Sequence, residues 1–178
     1  PKEEASIILL KQLIGSDFFH ELRTKKQLGY IVAVVNQKVD RIPGVGLLIQ
    51  SPEASVIRMG QEIDNFLLDF FDKLKIMTEE DFLKQKESVL LRLQEKPKNL
   101  LESLSQFWAC IITRNYTFDH REKLISALQK ISHKEILNTF SSLMIKSGYS
   151  FQIDSGDSFS FDKKEFEKNR ETFTLHTR

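Results

Sequence analysis

Two β-branched apolar runs, Gly29-Tyr30-Ile31-Val32-Ala33-Val34-Val35 and Val45-Gly46-Leu47-Leu48-Ile49-Gln50, stand on either side of Asp40-Arg41-Ile42-Pro43-Gly44. The sequence around them carries apolar residues mostly at helical spacing. Two strands about a Pro-Gly turn predict an antiparallel hairpin. A hairpin set among helices limits the chain to an α+β domain, with a small, mainly antiparallel sheet and several helices on one face. The first run is apolar at successive positions, which predicts cover on both faces of that strand.

Ahead of the hairpin, Ile8, Leu9, Leu13, Phe18, Phe19 and Leu22 predict a helix from Ala5 to about Arg23, with Gly15 as a point of bending. After it, Ser51-Pro52-Glu53 has the form of a helix start: a capping hydroxyl, proline at the first position and an acid in the first turn. That helix places Val56, Ile63, Phe66, Leu67, Phe70, Phe71 and Leu74 on one side. Thr78, with Asp81 in capping-box position, opens another, with Phe82, Val89, Leu90 and Leu93 inside and Pro97 closing it. A further helix carries Leu100, Leu101, Leu104, Phe107, Trp108, Ile111 and Ile112. Asp119 is placed to cap a short helix through Leu124, Ile125 and Leu128. Ser132 with Glu135 forms a capping box ahead of Ile136, Leu137, Phe140 and Leu143. Tyr149–Ile153 reads as a returning strand. Past Asp154 the composition is that of a loosely held tail with a short helix near Phe166. The expected organisation is one domain over residues 1–153 and a tail over 154–178. With no initiating Met and a charged start, Pro1–Ala5, that is no signal peptide, the chain is expected to be a piece of a larger protein.

Twenty-six Lys+Arg against 25 Asp+Glu leave a net charge of +1, so nothing calls for nucleic acid or an anionic membrane as partner. The single cysteine, Cys110, excludes an internal disulfide framework and a cysteine-based metal cluster. Between Ala109 and Ile111 it is expected to be buried and inert. The compartment stays open: a reducing cytoplasm and a bacterial periplasm both fit. No apolar run has the length of a membrane-spanning helix. The 14 phenylalanines, against one tryptophan and three tyrosines, sit at helical spacing and are expected to pack a core rather than stack on bases.

Catalytic motifs are missing. Hydrolytic zinc needs three protein ligands, commonly with two histidines one helical turn apart. His20, His120, His133 and His176 offer no such pair; His20-Glu21 begins like His-Glu-x-x-His, but Thr24 stands at the second ligand position. The inverted His-x-x-Glu-His form and a Gly-x-Ser-x-Gly elbow do not occur. Gly44-x-Gly46 lies in the hairpin and lacks the third glycine of a phosphate cradle. Asn115-Tyr116-Thr117 is a glycosylation sequon that matters only in a secreted eukaryotic protein. Lys25-Lys26 and Lys163-Lys164 are expected to be solvated charge. On these grounds the chain is not a self-sufficient enzyme.

The stretch Phe18-Phe19-His20-Glu21-Leu22-Arg23-Thr24-Lys25-Lys26-Gln27-Leu28-Gly29-Tyr30-Ile31-Val32 strongly resembles the insulinase/pitrilysin family of zinc metallopeptidases, whose last domain carries Arg-Thr-x-x-Gln-Leu-Gly-Tyr. Ile49-Gln50-Ser51, Met77-Thr78-Glu79-Glu80-Asp81-Phe82, Lys96-Pro97-Lys98-Asn99-Leu100, Trp108 and Tyr116-Thr117-Phe118-Asp119 follow in the family's order. The resemblance runs from about residue 5 to 153 and fades in the tail.

It implies a domain of the insulinase/mitochondrial processing peptidase type: the fourth of four homologous domains around a closed chamber, missing its opening strands. It further implies that zinc and the inverted motif lie in the first domain, outside this chain, and that the chain alone is inactive. Its expected partners are the N-terminal catalytic half of the same polypeptide and an unfolded peptide, with a homodimer as a further possibility. Arg23 and Tyr30 match the positions that reach the substrate beside the zinc, with weaker support for Gln27 and Gly29. Spacing alone gives plainer roles: Arg23 serving the carbonyls of a helix C-terminus, and Tyr30 as core with its hydroxyl at the edge. The alternative function is a non-catalytic scaffold of the same fold. A two-chain peptidase with separate zinc and arginine-tyrosine subunits is a third, less favoured by Gln27-Leu28-Gly29-Tyr30.

Overall fold

The computed structural model describes residues 1–39, 42–112 and 118–146. Along them run α1 (Lys2–Phe18), a π-helical segment (Phe19–Lys25), β1 (Ile31–Val39), β2 (Ile42–Gln50), α2 (Val56–Ile76) and α3 (Glu79–Gln94). Then come α4 (Leu100–Ile112), α5 (His120–Lys130), α6 (His133–Phe140) and a second π-helical segment (Ser141–Lys146). The fold is α+β, mostly helical, with a two-stranded antiparallel sheet among the described residues. The expected strand at 149–153, the tail, the sequon at Asn115 and His176 lie outside the described residues.

The core is built around α1. Ala5, Ile7, Leu9, Leu10, Leu13, Ile14 and Phe18 are all buried and cover more than half of the helix's circumference. A helix apolar over so much of its surface has to be enclosed. The β-hairpin packs on it, as do α3, α5 and α6. From its C-terminal end a chain of aromatic rings crosses the core. Phe18 meets Phe66 edge-on at 5.2 Å, Phe66 stacks on Phe70 at 5.7 Å, and Phe140 joins Phe70 and Phe71 at 5.7 and 5.6 Å. Such pairs add about 0.5–1.5 kcal/mol each beyond the area they bury. Phe19, expected in the core, is 49% exposed, because the π segment turns Leu22 inward in its place.

In the hairpin, Ile31 pairs with Gln50 and the register continues to Val39 with Ile42. Ile42, Pro43 and Gly44, expected as turn, belong to β2, opposite Val39, Lys38 and Gln37. Proline lacks an N–H for the ladder, and an edge strand tolerates it. Val32 and Val34 are buried against the helices, whereas Ile31 is exposed. Cover on both faces of β1 is therefore not what the described residues form, since the helices gather on one side.

The helix starts sort by local hydrogen bonding. Ser51 closes a turn on itself, its Oγ accepting from the N–H groups of Glu53 (3.2 Å) and Ala54 (2.9 Å). Ser55, extended at ψ 153, is the cap of α2 and accepts from the Arg58 N–H at 3.3 Å. The cap of the helix thus lies four residues after Ser51, because the earlier hydroxyl is already spent. Thr78 caps α3 through the Asp81 N–H (3.1 Å), but the shorter Asp81 accepts the Thr78 hydroxyl (2.8 Å). Asp119 stands at the start of α5 without a capping bond; its carboxylate pairs with Lys123 at 2.8 Å. Arg121 donates to the carbonyls of Leu93 and Glu95, which closes the C-terminal end of α3 in the way cations do. Leu143, expected inside, is exposed, since the wider π turn carries it off the α6 face.

Ser132 and Glu135 form the complete box, with the Ser132 N–H donating to Glu135 at 2.9 Å and the Glu135 N–H to Ser132 Oγ at 3.3 Å. Lys2 donates a further bond to Glu135 at 2.5 Å, and these donors hold its carboxyl down at about 2, Lys2 contributing most. Because that value lies below the ordinary 4.5, the contribution is fully present above 4.5 and is lost as pH falls toward 2. Glu135→Gln is expected to flatten that part of the acid-unfolding curve, read by circular dichroism across the same interval. Ser132→Ala is expected to cost about 1 kcal/mol in urea unfolding.

Candidate functional site

Arg23 lies in the last turn of the π-helical segment, and Lys26–Tyr30 connect that segment to β1. An i→i+5 turn holds one residue more than an α-turn, is rare, and is frequent at functional sites. The change of register begins where the Phe19 N–H reaches the carbonyls of both Gly15 and Ser16. The helix continues past Gly15 without a break, so the expected bend is a change of helical register instead.

The end of this segment is held at successive residues. The Lys26 N–H donates to the Glu21 carbonyl at 3.0 Å and the Leu28 N–H to the Leu22 carbonyl at 3.0 Å. This resembles a helix C-cap widened by one residue, with Gln27 at φ 50 in the left-handed position that glycine usually takes. Gln27 is exposed, and its amide has no hydrogen bond among the described residues, so it shapes the turn through its backbone. Leu28 is buried beside Leu22. Lys26 Nζ bonds Glu62 on α2 at 2.6 Å, with both side chains mostly covered. Gly29 lies so close to β2 that a Cβ there would stand 2.4 Å from the Gln50 carbonyl oxygen. The Tyr30 N–H donates to that same oxygen at 3.0 Å.

Two polar side chains project from this fixed turn. Tyr30 is 54% exposed, not core, and its hydroxyl has no hydrogen bond among the described residues. Arg23 is half-buried, and its guanidinium has no hydrogen bond or ion pair among them. Nor does it serve the helix C-terminus. The nearby carboxylates are engaged elsewhere: Glu21 accepts from Lys25 at 2.8 Å, which holds its carboxyl below the usual range, and Glu62 accepts from Lys26. Both donors are thus without a hydrogen-bond partner among the described residues.

No group of three or more His, Cys, Asp or Glu side chains able to hold a metal ion occurs among the described residues. His20 is exposed on the π segment, His120 Nε2 lies 3.2 Å from Glu4, and His133 Nε2 bonds the Leu74 carbonyl at 2.9 Å. Set on different elements, they do not fit zinc. The shallow cleft at the α2–α3 junction, lined by Met77, Thr78, Asp81 and Lys84, is remote in sequence from Arg23, and its polar groups serve the α3 cap and helix-surface ion pairs. No helix among the described residues is long and apolar enough to cross a membrane.

This α+β arrangement is that of a peptidase C-terminal-lobe domain. Residues 9–108 match the family model for PQQ synthase PqqF-like, C-terminal lobe domain 4. Insulin-degrading enzyme of Drosophila melanogaster is 31% identical over 140 residues, 79% of this chain and 14% of that protein. The A-factor-processing enzyme of Saccharomyces cerevisiae is 34% identical over 132 residues, 74% of this chain and 13% of that protein. The crystal structure of pitrilysin superposes with a TM-score of 0.75 at 25% identity, over 81% of this chain and 15% of that one. The chain belongs to the insulinase/pitrilysin family of metallopeptidases, as a C-terminal domain of it. It spans about 14% of the length of these relatives.

Sequence spacing alone did not mark the Lys26–Glu62 bond, which joins residues 36 apart. Its expected role is to hold the turn against α2. Glu62→Gln is expected to destabilise the fold by about 0.5 kcal/mol in urea unfolding. The charge-swapped pair Lys26→Glu/Glu62→Lys should recover part of that loss. A swap no better than the single variant would remove the bond from the account.

Proposed function

We propose that this chain closes the catalytic chamber of an insulinase-type zinc endopeptidase and binds the peptide substrate through Arg23 and Tyr30. The observation that carries the reading is that Arg23 and Tyr30 have no partner among the described residues, while the connection between them is anchored by Lys26, Leu28, Gly29 and the Tyr30 N–H. The zinc of such an enzyme would be held outside this chain, and what the chain supplies is binding and orientation. A guanidinium offers several fixed donors and a phenol one donor on a stiff arm. Both suit a substrate carbonyl oxygen, and both favour the negative charge that builds on it during hydrolysis. Donors fixed beforehand need little reorganisation, which is why the anchoring of the turn matters to rate as well as to fold.

Tyr30→Phe removes only the hydroxyl. In the full-length protein it is expected to lower kcat/KM for peptide cleavage about tenfold. The unfolding midpoint should not move, because the hydroxyl has no partner among the described residues. Cleavage at the original rate would take Tyr30 out of the site.

A further inference from the structure

Four arginines lie among the described residues, and two of them serve the fold. Arg92 bonds Gln12, and Arg121 bonds the Leu93 and Glu95 carbonyls. The guanidinium groups of Arg23 and Arg58 have no hydrogen bond or ion pair among the described residues. Arg58 is exposed in the first turn of α2, and two ties bring that turn beside Arg23 and Tyr30. One is the 2.6 Å bond from Lys26 to Glu62, which stands a single helical turn beyond Arg58. The other runs from the Tyr30 N–H to Gln50, then through the tight turn closed by Ser51 to Ser55, the α2 cap. With neighbours on one helix face about 5–6 Å apart, the path from Arg23 through Lys26 and Glu62 to Arg58 covers about 20 Å.

The Arg58 side chain does nothing for its own helix. The N-terminal end of an α-helix carries a partial positive charge, so an acid is favoured there and a cation is not. The first turn of α2 nevertheless holds no acid, and it holds this arginine. Glu62, four residues on, is the partner at helical spacing that would offset the cost. Its carboxylate is taken by Lys26 instead. A local rule broken without gain to the fold is expected where a residue serves something else. We propose that Arg58 is a specificity-determining residue that binds a carboxylate of the peptide held by Arg23 and Tyr30, from an acidic side chain or from the peptide's C-terminus. A guanidinium presents its N–H groups as a planar fork that matches a carboxylate in two parallel bonds. An extended peptide rises about 3.3 Å per residue, so the carboxylate would stand within about six residues of the bond that Arg23 addresses.

The inference deepens the reading of Arg23 and Tyr30 as substrate-binding residues and rests on it. The test is cleavage by the full-length protein of peptides in which one Glu is moved along about six residues on either side of the scissile bond, each paired with its Gln analogue. A further pair sets a free C-terminal carboxylate against its amide. At low salt the carboxylate is expected to raise kcat/KM about fivefold in at least one pair. The difference should lie in KM, because such a bond holds substrate and transition state alike. It should vanish in Arg58→Gln and persist in Lys75→Gln, which removes a cation about 25 Å further along α2. The urea midpoint of Arg58→Gln should not fall, since the helix loses an unfavourable charge. A parent without preference for any carboxylate, a preference that survives Arg58→Gln, or an equal loss in Lys75→Gln would each overturn the proposal. Arg23→Ala reports on the underlying reading instead, and is expected to slow both members of a pair alike while keeping their ratio. Full activity in Arg23→Ala would bring that reading down, a result distinct from the absence of a carboxylate preference.

Discussion

Arg23→Ala in the full-length protein is expected to lower kcat/KM for peptide cleavage by about 10²–10³-fold, the cost of removing one preorganised donor from a developing oxyanion. Most of that loss should fall on kcat, because such a donor contributes more to the transition state than to the bound substrate. The urea midpoint should stay where it is. Nothing among the described residues depends on the guanidinium, since Glu21 and Glu62 already have their lysines. Arg23→Lys keeps the charge and loses the planar fork, so it should recover only part of the rate. Full activity in Arg23→Ala would remove the residue from the site, and a lowered midpoint would make it structural.

Gly29→Ala is expected to destabilise the fold by about 3 kcal/mol, at the upper end of overpacking costs. The added carbon would stand 2.4 Å from the Gln50 carbonyl oxygen and 3.2 Å from the Ile49 side chain. A backbone carbonyl cannot swing away as a lysine tip can. Relief requires β2 to move from the Gly29–Tyr30 turn, which breaks the Tyr30 N–H bond to Gln50. Chemical denaturation measures the first effect, and a lower kcat/KM in the surviving folded protein measures the second. Stability equal to that of the parent would mean that the approach of β2 is looser than described.

Much of the fold could be read from local chemistry. Ser132-x-x-Glu135 and Thr78 act as caps because their hydroxyls have one obvious N–H to serve. Ser51-Pro52-Glu53 carries an equally good local signature, yet its hydroxyl closes a nearer turn and leaves the cap to Ser55. Nothing in the spacing distinguishes those outcomes. The pattern of α4 marked an apolar face, yet Leu104, Phe107 and Trp108 on it are exposed and Cys110 is only half-buried. Periodicity says where a face lies on a helix and not whether the domain has anything to cover it. The π segment was hidden for a related reason: Phe18 and Leu22, four residues apart, satisfy an α-helical pattern as well, while Phe19 goes outside.

Arg23 and Tyr30 were singled out only through family likeness. By spacing alone Arg23 belonged to a helix end and Tyr30 to the core. The structure shows instead a guanidinium without a partner among the described residues and a ring more than half exposed. Gln27 at φ 50 and the Lys26–Glu62 bond depend on how the turn meets α2 and β2, contacts that no local window contains.

The most direct test is peptide cleavage by this chain alone, then by the same chain mixed with the N-terminal remainder of its full-length protein and zinc. The account predicts no cleavage alone and recovery on mixing. Cleavage by the chain alone, or no recovery when the full-length protein is active, would contradict it.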